Sequence, residues 1–113
     1  MQPIHPSLGK PIFSADIATL ESTLPDAQWI DLREYENYKE GHIDSARNFP
    51  MPDFQSLSFE ILQNSQTPYI LYCYSGYTAS VYASYLVEMG AENIYYFDES
   101  FEVLVNAYNA KKS

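Results

Sequence analysis

The run Tyr69-Ile70-Leu71-Tyr72, introduced by Pro68, is aromatic and branched throughout and carries no charge. A strand that is apolar on both faces belongs in a sheet covered on both sides, which restricts the chain to a small set of layered folds. The run passes directly into Cys73, then into Ser75 and Gly76, small residues that let the backbone curl tightly. Val81, Tyr82, Tyr85, Leu86 and Met89 follow at helical spacing, and Gly90 closes that helix at its C-cap. Residues Pro68 to Met89 therefore read as strand, tight loop and helix.

The rest of the chain repeats the alternation. Ser14 is expected to N-cap a helix through Leu24, with Asp16 in the first turn and Ile17, Leu20 and Leu24 on one face, until Pro25 and Asp26 end it. Gln28 to Leu32 is an apolar strand. Glu34 to Tyr38, acidic and aromatic, is a short helix stopped near Gly41. Ala46 to Phe49 is a short strand halted by Pro50 and Pro52, and Phe54, Leu57, Ile61 and Leu62 mark a helix between Asp53 and Gln63. Asn93 to Phe97 is a further apolar strand, followed by a helix over Phe101 to Tyr108. Strands alternating with helices predict an α/β fold with a mostly parallel sheet and helices on both faces. Residues 1–12, with Pro3, Pro6 and Gly9, read as an irregular lead-in, and 13–110 as one domain.

At 113 residues there is chain enough for one core and no second domain. Fifteen acidic against six basic side chains give a formal net charge of −9, and no basic stripe is present, which argues against nucleic-acid binding. No apolar stretch approaches the roughly 20 residues that cross a bilayer, so a soluble, cytoplasmic protein is expected. The single cysteine excludes an internal disulfide and an internal resolving thiol. His5 and His42 lie far from it in sequence, so a cysteine-based metal site is not expected.

In parallel sheets, ligands gather at the carboxyl ends of the strands. Cys73 follows one strand, Asp31 and Arg33 end another, and Asp98 follows a third. Amide groups in a curled loop and at a helix start lack intrahelical partners and carry partial positive charge, so sulfur held there favours the thiolate, the nucleophilic form. Against this stands the simpler reading of Cys73 as a small buried hydrophobe. Asp31 and Arg33 suit either anion recognition or an ion pair that fixes a loop. His42 is a candidate base, but nothing near it completes a dyad, and a turn-holding role is the preferred reading.

Taken together, Trp29-Ile30-Asp31-Leu32-Arg33, Gly41-His42-Ile43 with Ala46-Arg47-Asn48-Phe49-Pro50, the Cys73 loop with Ser75-Gly76, and Asn93-Ile94-Tyr95-Tyr96-Phe97-Asp98 resemble a single rhodanese domain from about Phe13 to Tyr108. The resemblance implies a three-layer fold around a five-stranded, mostly parallel sheet. It also implies a sulfurtransferase or persulfide carrier in which Cys73 accepts a sulfane sulfur from a small-molecule or protein-bound donor and passes it to a thiol acceptor, without a cofactor or metal. Tyr74, Ser75, Gly76, Tyr77, Thr78 and Ala79 would form the persulfide-binding loop, supported by Asp31 and Arg33. The loop carries no cation, and Thr78 stands where relatives often place an arginine, so thiosulfate is expected to be a weak donor. An alternative is a catalytically weak binding or regulatory module on the same fold. Phosphatase-like chemistry needs an arginine after a longer loop, and position 79 is alanine. Ser45 occupies a place where glycine is common, Glu99-Ser100 replaces a frequent glycine pair, and Leu104 stands for a frequent tryptophan. Tyr74 and Tyr77 either pack against neighbouring loops or rim the site.

Overall fold

The computed structural model describes residues 8–112. Five strands, β1 (Lys10–Ile12), β2 (Gln28–Asp31), β3 (Arg47–Asn48), β4 (Tyr69–Tyr72) and β5 (Ile94–Phe97), form one sheet in the order β1-β5-β4-β2-β3, with every neighbouring pair parallel. Five α-helices accompany them: α1 (Leu20–Thr23), α2 (Tyr35–Glu40), α3 (Phe54–Gln63), α4 (Tyr77–Glu88) and α5 (Phe101–Lys112). The α/β class and the layered, parallel sheet expected from the alternating pattern are the observed ones.

The apolar run that anchors the sequence is the central strand, and all four of its residues are buried. The pleat sends successive side chains to opposite faces. Tyr69, Leu71 and, just beyond the strand, Cys73 join Leu57 and Ile61 of α3 and Ala83 and Leu86 of α4 in one core. Ile70 and Tyr72 join Ile17, Leu20 and Leu104 in the other. The sheet is thus sandwiched between α3 and α4 on one side and α1 and α5 on the other. Tyrosine serves in so buried a strand because each hydroxyl finds a partner. Tyr69 donates to Glu60 at 3.0 Å, and the Tyr72 hydroxyl accepts the Ile43 amide at 3.1 Å. Burial, with the Glu60 carboxylate beside it, pushes Tyr69 up to about 12. Burial and the nearby Asp31 charge also push Tyr72 upward.

Two local expectations are corrected. Residues 10–12, read as part of an irregular lead-in, are an edge strand: Lys10, Pro11 and Ile12 lie opposite Tyr95, Tyr96 and Phe97, and the Asp98 amide donates to the Ile12 carbonyl at 2.9 Å. Three residues containing a proline show no alternation, and only the partner strand makes them a strand, at an edge where proline is tolerated. Residues 1–7, including His5, lie outside the described residues. The second correction concerns Ser14, which does not cap its helix. The cap is Phe13, whose carbonyl accepts the Asp16 amide at 2.9 Å and whose amide donates to the Asp16 carboxylate at 2.8 Å. Ser14 begins a 3-10 turn, Ser14–Thr19, that runs into α1.

At the end of α4, Gly90 takes a left-handed conformation (φ 110°) just after the C-cap Met89. Its amide donates to Val87 at 2.9 Å and that of Ala91 to Leu86 at 3.0 Å, the paired bonds of a Schellman stop. Ser45 is also left-handed (φ 71°) but carries a side chain. That conformation costs a non-glycine residue about 1–2 kcal/mol, part of which glycine would return through its more flexible unfolded chain. Ser45→Gly is therefore expected to raise unfolding free energy by about 0.5–1 kcal/mol, measured as a higher urea midpoint at unchanged slope. A lower midpoint would show that the serine side chain contributes more than the strain removes.

Candidate active site

Cys73 follows the last residue of β4, at the carboxyl end of the sheet. The chain turns sharply after it. Gly76 adopts φ 96°, and a Cβ there would lie 3.1 Å from the Asp98 carbonyl carbon and 3.2 Å from its Cα, so the loop passes against the β5–α5 connection where no side chain fits. The turn brings two amides back onto the sulfur: Gly76 N–H donates to Cys73 Sγ at 3.2 Å and Ala79 N–H at 3.3 Å. Ala79 belongs to the first turn of α4, where amides have no intrahelical acceptor. Both donors are buried, and Cys73 itself is 4% exposed.

The other loop positions play different parts. Tyr77 donates its amide to Ser75 Oγ at 3.4 Å, forming the tight turn itself. Tyr74 anchors the loop to its surroundings: its carbonyl accepts the Phe101 amide at 2.8 Å, and its hydroxyl accepts the Asn37 side chain. Tyr77 opens α4 with 74% of its surface exposed. Tyr74 is thus tethered to neighbouring elements while about half of it stays exposed, and Tyr77 stands further out from the rim. Thr78 is half-buried at the position expected to lack a cation.

Arg33 does not face the sulfur as a free anion receptor. Its guanidinium pairs with Asp31 at 2.8 Å, donates to the Gly41 carbonyl at 2.6 Å and lies 3.7 Å from the centre of the Phe101 ring. The Asp31 carboxylate also accepts the Arg33 amide at 2.8 Å. Burial works against the guanidinium's charge, but the hydrogen bonds and charge of Asp31 prevail and hold Arg33 above its ordinary value. Of the two roles open to this pair, loop fixing is the one the structure displays. His42 likewise holds a turn: Nδ1 meets the Tyr38 carbonyl at 2.8 Å and the ring stacks on Tyr38 at 3.7 Å.

Asn37 and Phe101 shape the site without any local sequence signal for it, because their roles consist of contacts with Tyr74 and Arg33 far along the chain. Among the residues that depart from the family pattern, Ser100 caps α5 by accepting the Val103 amide at 3.2 Å, and Glu99 accepts the Ser14 amide at 2.7 Å. These polar side chains supply contacts that a glycine pair could not.

The profile of the rhodanese-like domain family matches residues 16–107. The chain belongs to that family. The rhodanese-like domain is 32% identical over 81 residues to the thiosulfate sulfurtransferase GlpE of Pseudoalteromonas translucida, a match spanning 72% of this chain and 75% of the relative. It is 28% identical over 87 residues to the enzyme of that name from Pseudomonas paraeruginosa, spanning 77% of each. Among solved structures, it superposes on the rhodanese-like domain of an Anabaena protein with a TM-score of 0.70 at 19% identity, covering 91% of this chain and 75% of that one. That last likeness is one of fold.

Arg33→Ala would leave the Asp31 charge buried and unpaired. It is expected to lower unfolding free energy by about 3–5 kcal/mol in urea denaturation. A loss below about 1 kcal/mol would show that water screens the pair.

Proposed function

We propose that this rhodanese-like domain is a sulfurtransferase or persulfide carrier that works through Cys73. The observation that carries the reading is the pair of amides from Gly76 and Ala79 directed at Sγ, because donors placed around a sulfur anion stabilise it before and after transfer. The thiolate attacks the outer sulfur of a donor. A new bond forms from Sγ to that sulfur, the bond to the donor's inner sulfur breaks, and its electron pair leaves with sulfite or a thiolate. The negative charge moves to the terminal sulfur of the Cys73 persulfide, and an acceptor thiolate then removes that sulfur by the same displacement. Neither step calls for a metal or organic cofactor. The relatives named as thiosulfate sulfurtransferases support the reaction class. A lone working thiol suits a reducing, cytoplasmic setting.

A second reading, a binding or regulatory module that keeps the fold without turnover, is favoured by the low exposure of Cys73. Mass spectrometry of the full chain after incubation with thiosulfate, or with a low-molecular-weight persulfide, separates the two. The expected result is a cyanide-labile gain of one sulfur on Cys73, absent from Cys73→Ser. An unmodified protein with both donors would select the module.

Thiosulfate is the weaker donor in this proposal, because Arg33 is engaged by Asp31 and the loop from Tyr74 to Ala79 has no cation. Thr78→Arg is expected to raise kcat/KM for thiosulfate about fivefold, corresponding to about 1 kcal/mol from one added, partly screened contact. Unchanged kcat/KM in a folded variant would show that donor charge is not what limits the reaction.

A further inference from the structure

The mouth of the Cys73 loop combines exposed aromatic surface with acidic charge. Tyr77 is 74% exposed, Tyr35 55% and Tyr74 49%. Tyr35 opens α2, the helix whose Asn37 holds the Tyr74 hydroxyl. Exposed tyrosines present large, rigid area with a polar tip, the type of surface that protein interfaces favour. The charge around them is chiefly acidic. Glu36 adjoins Asn37, Glu102 adjoins the Phe101 whose amide bonds Tyr74, and Asp98 underlies Gly76; all three are exposed. None of the ion pairs Arg33–Asp31, Arg47–Glu60 and Lys111–Glu21 involves these three. Two cations lie near these rings: Lys39 of α2, 5.7 Å from the Tyr35 ring centre, and Arg33, 5.9 Å from that of Tyr74 and already paired with Asp31; the chain as a whole carries −9.

We infer that the cysteine persulfide that loads Cys73 is carried on a positively charged protein surface, which docks on this tyrosine and carboxylate rim. The inference rests on the sulfurtransferase reading and adds the class of donor to it. Two observations support it independently. The tyrosines offer contact area that a donor of a few atoms cannot use, and the carboxylates attract a cationic partner while opposing free thiosulfate and anionic thiols. Transfer follows the displacement already described: the bond from Sγ to the terminal sulfur forms, the donor's S–S bond breaks, and the donor cysteine departs as thiolate.

Two synthetic cysteine-peptide persulfides, identical except that lysines or glutamates flank the cysteine, test the proposal on the full chain with thiosulfate as a third donor. The lysine peptide is expected to load Cys73 with kcat/KM at least about tenfold above the glutamate peptide in low salt. The ratio should fall toward unity at high ionic strength as screening shortens the reach of the field. Replacing Asp98 and Glu102 together with Asn and Gln should shrink the low-salt ratio, and Tyr77→Ala should slow both peptides more than it slows thiosulfate. Equal loading by the two peptides, or faster loading by the glutamate peptide, would overturn the inference and leave the sulfurtransferase reading standing. No loading by any donor would overturn that reading itself.

Discussion

The Arg33 guanidinium joins the segments that make the site. It takes its charge partner from the end of β2, its hydrogen-bond acceptor from the C-terminus of α2 and its flat contact from the first residue of α5. Tyr74 is the fourth member, with its ring centre 5.9 Å from the guanidinium carbon. A buried cation is tolerated only when its charge and its N–H groups are satisfied together. Satisfying Arg33 therefore draws the end of β2, the end of α2 and the start of α5 together beside the Cys73 loop.

A second constraint comes from the pleat of β4. Two-residue periodicity assigns Tyr69, Leu71 and Cys73 to the α3 and α4 side and Ile70 and Tyr72 to the other. The sulfur consequently emerges beside the start of α4, where unpaired amides are available. Tyr72, on the opposite face, meets Trp29 edge-on at 6.0 Å and stacks on Phe101 at 5.6 Å. One strand thus supplies both the position of the Cys73 sulfur and the aromatic packing that supports Arg33.

Much of this was legible in the chain. Continuous apolar runs, helical spacing and small or left-handed breakers are local signals, and they identified β2, β4, β5 and the helices that follow them. Cys73 was legible because it stands between a strand and a helix, and Ser45 because it replaces a common glycine at what proves to be a left-handed residue. What escaped reading depends on partners distant in sequence. The strand at residues 10–12 exists through β5, whereas the cap at Phe13 is a local exception, formed by a carboxylate reaching back three residues from Asp16 where Ser14 offered the more usual capping side chain. Asn37 and Phe101 gain their roles only where the loop folds against them.

The amino-acid order by itself determined the α/β class, the central place of the Tyr69–Tyr72 run and the position of the lone cysteine beyond it. Those follow from periodicity and from the need to bury apolar strands on both faces. Only the tertiary structure decided that two of the loop's amides, those of Gly76 and Ala79, reach the sulfur. It also decided that Arg33 is engaged by Asp31 rather than left free, and that Tyr77 stands further out into solvent than the half-exposed, tethered Tyr74. The residues concerned lie within six positions of one another, but whether they meet at about 3 Å depends on how the loop is folded against its surroundings, which residue type and spacing do not encode.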